Sequence, residues 1–107
     1  MYILRAFAIL LFLTQAVLAE QPTPILPDPK PTPGDTFDVT AEDVCVPGYA
    51  KKVRAVPAWL KRQAYAEYGI TQYKTGDYEV DHLIPLSLGG STNSIRNLWP
   101  QSTKTSP

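Results

Sequence analysis

Cysteine and histidine are almost absent: the 107-residue chain holds one of each, Cys45 and His82. A single cysteine excludes an intrachain disulfide. It leaves Cys45 as a free thiol, a small buried hydrophobe, or half of a disulfide whose partner is absent from this chain. With no second histidine to activate it, Cys45 reads as structural rather than nucleophilic. Excess charge is lacking too. Ten Lys and Arg stand against ten Asp and Glu, which disfavours nonspecific nucleic-acid binding driven by bulk positive charge. Nor is there a long apolar run. Ala6–Leu13 is unbroken, but Thr14 and Gln15 end it, short of the roughly 20 residues of a membrane-spanning helix. No internal repeat is present.

What the amino terminus does have is the order of a secretory signal peptide. Arg5 precedes the apolar run, and Val17-Leu18-Ala19 supplies a cleavage site. The expectation is a signal over residues 1–19, cut after Ala19, giving a secreted or periplasmic protein with no stable membrane insertion. Removing Arg5 leaves nine basic against ten acidic residues. Next comes QPTPILPDPKPTPG, Gln21–Gly34, with six prolines in fourteen residues. Such a stretch favours extended polyproline II backbone and buries little apolar area. It reads as a linker over 20–35, ahead of a domain over 36–107.

Charge is unevenly spread within that balance. Asp28, Asp35, Asp38, Glu42 and Asp43 come early; Lys51, Lys52, Arg54, Lys61, Arg62 and Lys74 follow, with Glu67 alone among them. A neutral total can therefore hide a basic face. Thr36–Val46 is a mixed, acidic approach, and Pro47-Gly48 signals a turn. Val53–Val56 reads as a short extended piece. Pro57 suits the first turn of a helix. Ala58–Tyr68 contains no β-branched residue, and Gly69 is a natural stop. Leu60, Ala64 and Tyr68, flanked by Trp59 and Tyr65, form a core-facing stripe, leaving Lys61 and Arg62 for solvent or phosphate. Tyr78–Ile84 partly alternates, Gly89-Gly90 turns, and Asn97-Leu98-Trp99 is a second extended piece before Pro100. Two such strands need a helix packed on them. The fold class expected is α+β, with Trp99 in the core and a polar tail from Ser102 to Pro107.

Chemistry concentrates in Tyr78–Gln101, YEVDHLIPLSLGGSTNSIRNLWPQ. Asp81 offers hard oxygen donors to a divalent cation. His82 titrates near neutrality and can take a proton from water. Neighbours on a strand face opposite sides, so a bend or bulge near Ile84-Pro85 is needed to bring both to one phosphate. Without that, Asp81 is a turn cap or a partner of Arg96 or Lys74, and His82 a hydrogen-bonded histidine at a strand end.

Asp81-His82, Ile84-Pro85-Leu86, Gly89-Gly90 and Asn97-Leu98 together resemble the first half of the HNH (His-Me finger) nuclease motif. The upstream Cys45-Val46-Pro47-Gly48, Val53-Arg54 and Tyr68-Gly69, with Asn97-Leu98-Trp99-Pro100-Gln101, are similar to a group of exported bacterial proteins with an HNH-like core. The resemblance spans about Cys45 to Gln101. It implies a small ββα-metal core with a preceding helix. Asp81 would hold the metal, His82 would be the general base, and Asn97 would align His82. The implied cofactor is Mg²⁺, with Mn²⁺ or Zn²⁺ also admissible, and the implied partner is DNA or RNA. Phosphate contacts would fall to Arg96, Lys51, Lys52, Arg54, Lys61 and Arg62. The resemblance also implies a further helix, carrying a second metal ligand and a partner for Cys45. Pro107 comes six residues after Gln101, so the motif's final helix is expected to be missing.

Three readings stay open at this level. One is a metal-dependent endonuclease. The second is a truncated, inactive HNH-like exported protein that binds nucleic acid or a partner. The third is a cell-envelope interaction protein whose proline-rich segment is the functional part.

Overall fold

The first short helix forms because Thr40 and Asp43 cap it reciprocally. In the computed structural model, which describes residues 21–24 and 26–104, the Asp43 amide donates to the Thr40 hydroxyl at 3.2 Å, and the Thr40 amide donates to the Asp43 carboxylate at 2.8 Å. Two donors that a helix start leaves unpaired are thereby satisfied, and α1 spans Ala41–Val44. The expected signal peptide and its cleavage point lie outside the described residues. Gly48, at φ 82°, turns the chain into α2, Tyr49–Val53. Val53 is thus helical, and the extended piece begins only at Arg54. The third helix, α3, spans Ala58–Glu67. Pro57 stands just outside it as the capping residue, with extended ψ of 152°, rather than inside the first turn. Tyr68 caps the far end and Gly69 leaves it at φ 72°. Leu60 and Ala64 are buried as the stripe requires, while Trp59, Lys61 and Arg62 are exposed.

Strand β1, Tyr78–His82, pairs antiparallel with β2, Leu98–Ser102, in a two-stranded sheet. The register sets Val80 opposite Pro100, Asp81 opposite Trp99 and His82 opposite Leu98. α3 packs on β2, and Leu60, Ala64 and Leu98 form the core with Val56, Val80 and Ile95 against them. Each fully buried leucine there is worth about 1.5–3 kcal/mol. The described residues therefore form a small mixed domain of helices on one hairpin, and no helix follows β2 among them. None of the described helices is long and apolar enough to cross a membrane.

The second strand runs through Pro100 instead of ending before it. The reason lies in the proline-rich segment. Rather than hanging free as a spacer, it lies along the outer edge of β2. The Ser102 amide donates to the Pro24 carbonyl at 2.8 Å, the Thr32 hydroxyl donates to the Leu98 carbonyl at 3.1 Å, and the Gly34 amide donates to the Arg96 carbonyl at 2.9 Å. Main-chain groups of alternate residues face the same side of a strand. Pro100, midway between Leu98 and Ser102, thus turns its donorless nitrogen toward that outer edge, where proline is tolerated. Prolines that cannot form a ladder themselves still supply carbonyls that cover an exposed edge.

Candidate active site

The loop joining the strands is built around Asn97. Its side chain accepts from the Ile84 amide at 2.9 Å and donates to the Ile84 carbonyl at 3.1 Å and the Ser91 carbonyl at 2.9 Å. One wholly buried amide group thus ties both arms of the loop together. The Leu83 amide, donating to the Asn97 carbonyl at 2.8 Å, closes the same point from the main chain. Gly89-Gly90 forms part of the closure. A Cβ on Gly90 would lie 1.8 Å from the Ile84 carbonyl oxygen, so only glycine lets the arms approach this closely. From outside, the Phe37 amide donates to the Gly89 carbonyl and the Ser91 amide to the Asp35 carbonyl, each at 2.9 Å.

This loop presents a backbone carbonyl to the only imidazole. His82 Nε2 lies 3.2 Å from the Thr92 carbonyl oxygen. With the proton on Nε2 and donated there, Nδ1 keeps its lone pair. The Thr92 hydroxyl donates to the Val53 carbonyl at 2.9 Å, which fixes Thr92 against α2. The strand ends at His82 and the chain bends at Leu83-Ile84, one residue earlier than the expected kink. Asp81 and His82 precede that bend, on adjacent positions of β1, and both line one cleft of about 370 Å³, together with Arg54, Trp99 and Pro27.

Both titratable groups are half-buried, and both are displaced toward their neutral forms. Burial is the main influence that pushes the His82 imidazole below its ordinary value, and Arg54 adds to it; the Thr92 carbonyl and the Asp81 charge oppose it. Burial, seconded by Glu79, pushes the Asp81 carboxyl up, against the pull of His82 and Arg54. Asp81 makes no ion pair with Arg96 or Lys74; the ion pair among the described residues joins Lys104 and Asp77 at 3.5 Å. No three His, Cys, Asp or Glu side chains gather as a metal-binding group among the described residues.

The basic candidates separate. Arg54 lines the cleft, and Lys61 lines an adjoining groove that also reaches His82. Lys52 borders a different groove with Val39 and Tyr49. Lys51 and Arg62 are exposed and line neither the cleft nor the adjoining groove. Arg96 lies away from the cleft, near Asp35, whose carboxyl is held low chiefly by Ser94 and further by Thr36 and Arg96. Cys45 is exposed with a free thiol rather than buried as a hydrophobe. Sequence reasoning missed Thr92, which acts on His82 through its carbonyl, a group every residue carries. It also missed Pro27, which reaches the cleft only because the proline-rich segment folds back. No family profile, curated protein or solved structure matches this chain.

Proposed function

We propose that this protein is a metal-dependent endonuclease of the HNH kind, hydrolysing phosphodiester bonds of DNA. The observation that carries the reading is the Asn97-pinned loop, whose Thr92 carbonyl orients the His82 imidazole beside Asp81 in a cleft with an arginine at its wall. The hairpin and its loop then correspond to the two strands of a ββα-metal core.

Asp81 suits a hard divalent cation: its half-buried carboxylate lacks an ion pair among the described residues, and burial disfavours it as a bare anion. Mg²⁺ fits such a position, because it takes most of its ligands from water and phosphate. Zn²⁺, which needs at least three protein ligands, finds no such set among the described residues. When bound, the cation would supply charge stabilisation at the phosphate. His82 is held as the neutral base that hydrolysis requires, since its environment opposes protonation. Its Nδ1 accepts a proton from water as the water oxygen bonds to phosphorus. The phosphorus bond to the leaving oxygen breaks, and that oxygen takes a proton from solvent. Arg54 faces the phosphate charge across the cleft.

Nicking of supercoiled plasmid with Mg²⁺ tests this. His82→Ala is expected to lower the rate by at least a hundredfold, the scale of a general base. Equal rates in the two proteins remove His82 from the chemistry. The second reading, a noncatalytic binding module, draws on the solitary position of Asp81 as a carboxylate ligand. Titration calorimetry with Mg²⁺ separates the two: heat lost in Asp81→Ala belongs to the enzyme, and no heat in the wild type belongs to the module.

A further inference from the structure

Beyond His82 the cleft continues into a second groove on the α3 side of the sheet. Arg54 and His82 border both hollows, and Lys61, Tyr65, Tyr78 and Glu79 line the second alone. Its aromatic wall is preassembled. Tyr65 and Tyr78 have ring centroids 5.7 Å apart, and Tyr73 lies 4.3 Å from Tyr65 behind them. The Tyr78 hydroxyl donates to the Pro22 carbonyl at 2.7 Å, so the proline-rich segment fixes that ring. Arg54 and Lys61 outweigh Glu79 by one charge along the groove. Neither tyrosine is consumed by the core around Leu60, Ala64 and Leu98.

We propose that this groove binds the unpaired nucleotides of a single-stranded polynucleotide flanking the phosphate at His82. Duplex bases are stacked on one another and offer no face to a tyrosine. A single strand offers one at every nucleotide, while its backbone follows the positive side chains. Tyr65 and Tyr78 meet base faces, and Lys61 and Arg54 meet phosphates. The groove thus deepens the nuclease reading, on which its placement beside a scissile phosphate rests: the substrate class it fits is single-stranded, or duplex with a frayed end.

The test measures fluorescence anisotropy of a labelled twelve-nucleotide oligodeoxynucleotide, and of its duplex, with the purified protein in EDTA. The single strand is expected to bind at least tenfold more tightly. Tyr65→Leu should weaken it about tenfold, the order of one lost base stack, while Tyr65→Phe should retain it. Lys61→Ala, an exposed site that leaves the core untouched, should reduce the salt dependence by about one counterion contact. Circular dichroism establishes that each variant is folded. Equal affinity for single strand and duplex, or folded Tyr65→Leu and Lys61→Ala proteins that bind like the wild type, overturns the proposal. Cleavage assays in parallel with Mg²⁺, on supercoiled plasmid and on the same single-stranded oligonucleotide, keep the two readings apart. His82-dependent cleavage without strand preference defeats the groove alone, and strand preference without cleavage defeats the nuclease alone.

Discussion

Two irregular segments border the cleft and are held in opposite ways. Within the inter-strand loop, residues 83–97, the side-chain ties converge on Asn97, whose three hydrogen bonds reach both arms. Main-chain bonds from Phe37 and to Asp35, and the Thr92 hydroxyl on Val53, brace it from outside. The proline-rich strap, residues 24 and 26–34, is held to Ser102 and Leu98 of β2 through Pro24 and Thr32 and to Arg96, just before β2, through Gly34, with the Asp28 amide donating to the Tyr68 hydroxyl at 2.8 Å. A structure whose inner ties converge on one residue is sharply defined and sensitive to that residue. A structure fastened at many points gives way in parts. The arrangement suits the roles: the loop must hold the Thr92 carbonyl against His82, whereas the strap only has to cover an edge.

Asn97→Ala puts the greatest strain on this comparison. It removes three bonds and leaves the Ile84 amide and two carbonyls without that partner inside the loop. Each buried group left unpaired costs about 1–3 kcal/mol, and the expected loss is about 3 kcal/mol, read from urea unfolding. Nicking should vanish at temperatures where the variant is still folded, because His82 loses the loop that orients it. Retained activity would show that the loop closes without Asn97. Gly90→Ala comes next. The added methyl meets the Ile84 carbonyl and carbon, at 1.8 and 2.6 Å, and backbone on both sides must move. Overpacking of this kind costs about 1–3 kcal/mol, and the His82 ring resonances should shift in the NMR spectrum as the arms separate. An unshifted spectrum would mean that Gly90 is not part of the closure.

Much of the loop was legible in the sequence, because side-chain chemistry organises it. Gly89-Gly90 signals a turn, and the resemblance to the HNH motif marks Asn97 as the residue that aligns His82; the close approach at Gly90 and the three bonds of the Asn97 amide come from the fold. Asp81 and His82 declared themselves as chemistry, and Ala58–Tyr68 as a helix by its composition and its Gly69 stop, one residue longer than α3, which Tyr68 caps. The strap was legible only in conformation. Its prolines foretell extended backbone, yet nothing in QPTPILPDPKPTPG foretells that its carbonyls and Thr32 would find the edge of β2, since that match depends on tertiary placement. Pro100 inside β2 is the other side of the same fact. Local rules end a strand there, and the outward-facing edge removes the objection. The capping pair Thr40 and Asp43 has a readable spacing, but within Thr36–Val46 its acidic residue passes for general acidity. Of the six basic residues grouped by sequence proximity, only Arg54 and Lys61 reach the hollows beside His82, because helices turn neighbouring residues to different faces.

Thr32→Val gives the mildest and most discriminating measurement. Thr32 is fully buried, and its hydroxyl lies 2.7 Å from the Tyr68 hydroxyl and 3.1 Å from the Leu98 carbonyl. Valine keeps the shape and removes both bonds. If the strap is fastened at independent points, the Pro24 and Gly34 contacts persist, and Tyr68 still accepts from the Asp28 amide. The loss should then be about 1 kcal/mol, a fall in the thermal midpoint of about 4–8 °C for a domain of this size, with the rate of nicking unchanged. Thr32 and Asn97 share no hydrogen-bond partner, although Leu98, which Thr32 holds, adjoins Asn97; if the two fastenings act independently, the double variant should lose the sum of the two effects. A loss in Thr32→Val as large as that in Asn97→Ala, or a double variant far from additive, would mean that strap and loop are one cooperative fastening rather than two.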